Sequence, residues 1–282
     1  MGVCLKLPVY LVIPVHNRKN ITLACLANLN VTGDLARYHV VVVDDGSTDG
    51  TAAAIQQIYP DVEILTGDGN LWWTGAIELG MEYADRQGAK YLIWLNDDCL
   101  PEVGTLTEIV AVIQSNHHSI VGAACYCMES NAPFPTGFRG RTSLMSYPDQ
   151  VNIVDGVSGY CVGMSSDVIA KIGLPDAKRF PHYGGDGMYT LKASRAGFQV
   201  CILGKAKAKL VGEVKPPDQF ADSLKASDYD LSSVFWSKKS PFYLPFKFFY
   251  HIEKYGWLVG MALFAAKLIW WLCLYLKGIC LK

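Results

Sequence analysis

Val40-Val41-Val42-Val43-Asp44-Asp45-Gly46-Ser47 sets four consecutive β-branched residues directly before two carboxylates and a turn. A run that is apolar on both faces reads as a strand buried on both sides, as in a parallel sheet covered by helices. The two acids then fall at the carboxyl end of that strand, the edge where ligands settle in such sheets. Outward from it, apolar runs recur at Val9 to Ile13, Val62 to Leu65, Tyr91 to Leu95 and Ile120 to Ala124. Helix-length stretches at about 20–30, 49–59, 74–87 and 102–115 lie between them. The alternation predicts an α/β fold with a mainly parallel central sheet and flanking helices over residues 1–124.

Polar clusters follow the strand ends: Pro14-Val15-His16-Asn17, Asp44-Asp45, Gly67-Asp68-Gly69-Asn70 and Asn96-Asp97-Asp98. Right-handed crossovers bring these ends to one edge. Each cluster alone is also a good local turn, since Asp, Asn, Gly and Ser favour turns. Adjacent acids repel without a cation, however, and a hard ion such as Mg²⁺ takes one or two carboxylates plus phosphate oxygens. A nucleotide diphosphate supplies such oxygens. Gly67, Gly69 and Gly75 match neither a P-loop nor a dinucleotide fingerprint.

The formal charge of −1 and pI near 6.6 argue against nucleic acid as a partner. Nine scattered cysteines suggest neither a disulfide framework nor paired zinc ligands, which fits a reducing compartment. In 125–212, residues 157–164 read as a strand and 186–196 as a helix closed by Gly197; this half is expected to build the acceptor side. Gly184-Gly185-Asp186-Gly187 puts Asp186 at that helix's start, where a plain N-cap is the competing reading. Lys205, Lys207 and Lys209 would share one face of a strand, as a solvated edge or as a cationic wall. Trp72 and Trp73 are either packing residues or a stacking platform.

The order of these motifs resembles the family-2 glycosyltransferases with the GT-A fold, over residues 8 to about 212. The stretches that carry the likeness are Val12-Ile13-Pro14-Val15-His16-Asn17-Arg18, Val41 to Asp49, Trp94 to Asp98, Gly159 to Gly163 and Phe180 to Tyr189. Gly69-Asn70-Leu71-Trp72-Trp73 looks like a loop of bacterial rhamnosyltransferase-like members. The resemblance implies an inverting transfer of a sugar from a nucleotide diphosphate to a glycan or lipid-linked acceptor, in cell-surface polysaccharide synthesis. It assigns Asp186 as catalytic base and Asp98 as ligand of Mg²⁺ or Mn²⁺. It gives Pro14, His16, Asn17, Asp44, Asp45, Asn70, Trp73, Asp97 and Lys209 to the nucleotide sugar. Two positions depart from the family pattern: Gly185 stands where an acid usually precedes the base, and no histidine occurs in Lys205 to Gly212. Asp155 and His182 are the next candidates for the base. A degenerate nucleotide-sugar binder and a sugar-phosphate nucleotidyltransferase are the alternatives, the latter lacking its basic glycine-rich loop at Pro14 to Asn20.

Residues 213–240 read as a linker and 241–282 as a membrane-associating helical tail at the cytoplasmic face. Gly256 to Leu276 is nearly continuous apolar sequence, about the length of a spanning helix, but Lys267 interrupts it. Trp257, Trp270, Trp271 and Tyr275 suit the headgroup region, so shallow or re-entrant insertion is expected. Packing on the catalytic domain or on a dimer partner is the alternative.

Overall fold

The computed structural model describes residues 6–212, 220–228 and 230–280. The first half alternates as the sequence predicts: β1 (Val9–Val15), α1 (Lys19–Val31), α2 (Asp34–Arg37), β2 (His39–Asp44), α3 (Thr51–Ile58), β3 (Glu63–Thr66), α4 (Trp72–Arg86), β4 (Tyr91–Leu95), β5 (Cys99–Pro101), α5 (Thr105–Ser115) and β6 (Ser119–Cys127). The stretch without clear periodicity folds into short strands β7 (Pro133–Phe134), β8 (Gly137–Arg139), β9 (Thr142–Leu144), β10 (Val151–Ile153) and β11 (Gly156–Val157). Then come β12 (Cys161–Ser165), α6 (Asp167–Ile172), α7 (Gly185–Arg195) and the long β13 (Gln199–Leu210).

One sheet runs β10-β13-β6-β12-β4-β1-β2-β3, with β5 on β13 and β7 on β6; β11, β8 and β9 form a small second sheet. β3, β2, β1 and β4 are mutually parallel where they pair. The sequence pattern suggested that β6 continues this series. Instead β12 inserts between β4 and β6, antiparallel to both. The run 157–164 splits accordingly, Val157 going to the small sheet and Cys161 onward to the large one.

Strict alternation along the strands feeds two cores. Val9, Leu11, Ile13 and Val15 of β1 join Leu26, Leu29, Ile55 and Ile109 under α1, α3 and α5. Tyr10 and Val12 join Val41, Val43, Ile77, Met81, Trp94 and Tyr189 under α4 and α7. A residue of β1 therefore cannot shift register without exchanging the two cores. α4 approaches the sheet closely at Gly80, where an added Cβ would lie 2.2 Å from Val12 Cγ1 and 3.1 Å from Val43 Cγ2.

The stretch read as linker carries two short helices, α8 (Phe220–Ala226) and α9 (Leu231–Trp236); its residues 213–219 and 229 lie outside the described residues, as do 281–282. They pack with the tail, which is a hairpin of α10 (Leu244–Tyr255) and α11 (Trp257–Cys280) turning at Gly256 with φ 81°. Trp271 does not face outward as a headgroup anchor would: it is 3% exposed, packed against Phe220, Phe235 and Phe242. Burying its large ring in that aromatic cluster outweighs the interfacial preference. On the other side, Phe246 of α10 contacts Phe180, and Arg179 pairs with Glu253 at 2.8 Å, joining the hairpin to the α/β body.

Gly80→Val is expected to destabilise the protein by about 1–3 kcal/mol by forcing α4 off the sheet, read as a lower urea midpoint. An unchanged midpoint would show that α4 is not seated there.

Candidate active site

The loops after β1 and β2 are stitched to one another. Asn17, at φ 52°, donates its backbone N–H to Ser47 Oγ at 2.8 Å, and its Oδ1 accepts from Thr48 N at 2.7 Å. Asparagine tolerates this left-handed backbone better than most residues. His16 Nδ1 donates to the Asp45 carbonyl at 2.6 Å, which leaves Nε2 as the acceptor for Asn17 Nδ2 at 3.0 Å. Pro14 stands opposite Val43 in the parallel register, and Asp44 Oδ1 accepts from Ser47 N at 2.9 Å.

Asp45 is almost fully buried and does structural work. Its carboxylate accepts three backbone N–H groups: Gly69 at 2.8 Å, Leu71 at 3.2 Å and Trp72 at 2.9 Å. It thereby satisfies orphan donors at the start of α4 and holds Trp72 at φ 57°, a strained value for a bulky residue. Asn70 stays exposed, its N–H donating to Asp68 Oδ1 at 2.8 Å. Trp73 donates Nε1 to Asn96 Oδ1 at 2.8 Å and meets Trp94 edge-on at 5.6 Å.

Asp97 and Asp98 follow β4, and Arg18 bridges them, with Nη1 3.2 Å from Asp97 Oδ1 and Nη2 2.9 Å from Asp98 Oδ2. Thr22 Oγ1 donates to Asp97 Oδ2 at 3.0 Å. Burial pushes the 2%-exposed Asp97 up to about 6, against the pull of Arg18 and with the repulsion of Asp98. Burial opposes the charge on Arg18, yet the two carboxylates outweigh it and hold its proton more firmly. No local pattern around Arg18 indicates that it would reach these acids.

The candidate base, Asp186, lies on α7. It is not the N-cap of α7: that position is Gly184, at φ 72°, and Asp186 sits in the first turn. Its Oδ2 accepts from Gly159 N at 2.7 Å and its Oδ1 from Gly187 N at 2.6 Å, so each oxygen keeps a lone pair. Burial raises its pKa, opposed by these two bonds. Gly159 is required there: a Cβ would lie 2.2 Å from the Trp73 ring and 3.2 Å from Asp186 Cβ. The next residue, Tyr160, feels both Asp186 and Asp98, which add to burial in raising its pKa. Tyr160 thus lies within electrostatic reach of both Asp186 and Asp98, a neighbourhood that sequence reading missed. Its carbonyl accepts from Asn96 N at 2.9 Å.

Gly185 has a steric explanation. A Cβ there would lie 2.1 Å from Thr74 Oγ1, so Thr74 occupies the volume a longer side chain would need. At the end of β13, Val211 N donates to the Asp98 carbonyl at 2.8 Å. The Lys209 ammonium sits 3.8 Å from Glu102 Oε1, 5.4 Å from the Tyr126 ring centroid and in contact with Asn131. Lys205 pairs with Glu108, so the lysine face is ion-paired; it is not a sheet edge, because β13 has β10, β6 and β5 paired with it.

Among the described residues no three His, Cys, Asp or Glu cluster as a closed metal site. Asp98 Oδ1 is nevertheless buried with no hydrogen-bond partner, and the acid pair is balanced by a single guanidinium. That fits an open site in which one carboxylate contributes and substrate phosphate oxygens complete the shell.

A mixed sheet whose parallel strands end in two acidic loops, facing an aspartate in the first turn of a helix, defines the GT-A class of glycosyltransferases. Residues 10–170 match the model of glycosyl transferase family 2, and the chain belongs to that family. It is 28% identical over 220 residues to glycosyltransferase AglE of Haloferax volcanii, covering 73% of this chain and 69% of the relative. Its fold resembles the mannosyltransferase PcManGT of Pyrobaculum calidifontis, solved with GDP-Man and Mn²⁺: TM-score 0.58, 16% identity, 98% of this chain and 75% of that one. It also resembles GalNAc-T7 solved with UDP, GalNAc and Mn²⁺, with TM-score 0.59 and 14% identity. That match covers 84% of this chain, which spans only 49% of the GalNAc-T7 chain.

Asp45→Ala is expected to cost about 1–3 kcal/mol, the range for stranding buried donors. Hydrogen exchange at Gly69, Leu71 and Trp72 should accelerate together; unchanged protection would show that the loop holds itself.

Proposed function

We propose that the protein transfers a sugar from a nucleoside diphosphate donor to an acceptor hydroxyl, with inversion at the anomeric carbon. The carrying observation is the Asp186 carboxylate, oriented by Gly159 and Gly187, raised in basicity by burial and facing the Asp97-Asp98 loop across Tyr160. In this reading Asp186 takes the acceptor hydroxyl proton as the acceptor oxygen bonds to the anomeric carbon. The bond from that carbon to the diphosphate breaks on the opposite face, and the nucleoside diphosphate leaves.

The loops carrying Pro14, His16, Asn17, Asp44 and Asn70 form the nucleotide side, with Asp45 holding them in place and Asp97 facing the ribose. Trp73 serves as the floor between donor and base. A bound Mg²⁺ or Mn²⁺, held by Asp98, would neutralise charge building on the leaving diphosphate. The Mn²⁺-containing neighbour structures support that reading. Lys209 would join only by leaving Glu102 and Asn131.

The acceptor we favour is a glycan or lipid-linked sugar in cell-surface polysaccharide synthesis, met at the cytoplasmic face of a membrane. Support comes from α11: residues Trp257–Lys277 have mean hydropathy 1.8 and only 11% of the apolar window is buried. Leu258 is 83% exposed and Ile269 63%. Lys267 in the middle favours a helix lying in the interface over one spanning it.

Asp186→Asn keeps the shape but cannot accept the proton, and turnover is expected to fall about 10²-fold or more with donor affinity preserved. A near-normal rate would move the base to Asp155 or His182. For the tail, Leu258→Glu with Ile269→Glu should abolish vesicle flotation without lowering the melting temperature, both residues being exposed. Flotation equal to that of the unaltered chain would reject the interfacial reading of α11.

A further inference from the structure

Away from the acidic crevice, a cleft of about 830 Å³ opens between α8, α10, α11 and the loop carrying Arg141. Its walls are aromatic, and its charged groups are all basic: Arg141, Lys247 and Lys267, with His251 beside them. None of the described residues lining it is acidic. The cations rest on rings rather than on carboxylates. Lys247 Nζ is 4.9 Å from the Phe246 centroid, Lys267 Nζ 5.0 Å from Trp270, and the Arg141 guanidinium 5.7 Å from Tyr255. Such contacts orient a cation but leave its charge uncompensated. Burial first, and Lys267 second, pushes Lys247 down to about 8, and an anion in the cleft would favour its charged form.

The source of the anion follows from what adjoins the cleft. Trp270 lines it and is also 51% exposed on the apolar face of α11, which continues through Ile269 and Leu276. A free inorganic anion has no use for that surface, whereas an amphiphile matches both. We propose that this cleft holds the phosphate-bearing headgroup of a membrane lipid, with its hydrocarbon chains along the exposed face of α11. The inference rests on the interfacial reading of α11. It also places the catalytic crevice: Phe246, against which the Lys247 ammonium lies, fills the space beside Gly184 at the start of α7. An occupied cleft therefore seats the Asp186 side of the enzyme close to the lipid surface.

The test is flotation of the full chain with neutral phosphatidylcholine vesicles and with vesicles doped with phosphatidic acid. Phosphatidic acid is expected to tighten binding by about tenfold or more, consistent with several cations near an anionic surface. Lys247→Gln with Lys267→Gln should erase that gain, and Lys247→Arg with Lys267→Arg should keep it. Arg141→Gln, on an exposed residue, should lose part of it without any folding penalty. Lys225→Gln with Lys277→Gln removes equal charge outside the cleft and should retain the gain. An equal loss in that control pair would reduce the effect to diffuse surface attraction and overturn the proposal. Binding to neutral vesicles without a phosphatidic acid gain would overturn the cleft assignment while leaving the reading of α11 intact. Absence from both vesicles would overturn both. Inorganic phosphate should not raise the melting temperature; stabilisation matching that from short-chain phosphatidic acid would reject the lipid as occupant.

Discussion

Two neighbouring carboxylates at the end of a buried strand repel each other and resist desolvation, and the guanidinium of Arg18 is what lets Asp97 and Asp98 coexist. Arg18 comes from the loop before α1, so the bridge ties the first βα unit to the fourth parallel strand. Thr22 on α1 adds a bond to the same acid. The arrangement is poised rather than saturated: burial raises the Asp97 pKa to about 6, and one oxygen of Asp98 has no partner. The unpartnered oxygen is buried, so in the proposed reading a cation would reach it only as Arg18 or the neighbouring loop yields.

The opposite wall depends on glycine. Gly159 lets the Trp73 ring and Asp186 approach the same backbone, and Trp73 passes that position on to Asn96, next to the acid pair. Segments that are separate in the chain are thus one packed layer: Asp186 is hydrogen-bonded to Gly159, Gly159 packs on Trp73, and Trp73 is hydrogen-bonded to Asn96.

The parallel half was legible because strands buried on both faces announce themselves as unbroken apolar runs. Val40 to Val43 and Tyr91 to Leu95 are both found as strands, with acids at their ends. Insertion of β12 between β4 and β6 was not legible, since an antiparallel strand in the middle of such a sheet has the same composition as a parallel one. Side-chain commitments were less legible still. Nothing local in Asp44-Asp45 says that the second acid will bind three amides some 24 to 27 residues away. The reach of Arg18 across 80 positions is likewise a property of the closed sheet. The tail's hydrophobicity was plain, but composition does not divide apolar residues between an inner cluster and an outer face. Trp270 and Trp271 are adjacent and went to opposite fates.

The contact between Gly185 and Thr74 sets an order on sequence change. With Thr74 in place, a Cβ introduced at 185 would lie 2.1 Å from its hydroxyl oxygen, far inside van der Waals contact, so the substitution is blocked in that background. Thr74 itself is free to shrink, because its buried hydroxyl has no hydrogen bond to lose. Thr74 Cγ2 and Cβ would lie 2.9 and 3.0 Å from a Cβ at 185, so a lineage or a directed library reaches an acid there only by first losing the whole side chain at 74, as in glycine. Screens that vary either position alone would score 185 as invariant when it is only contingent.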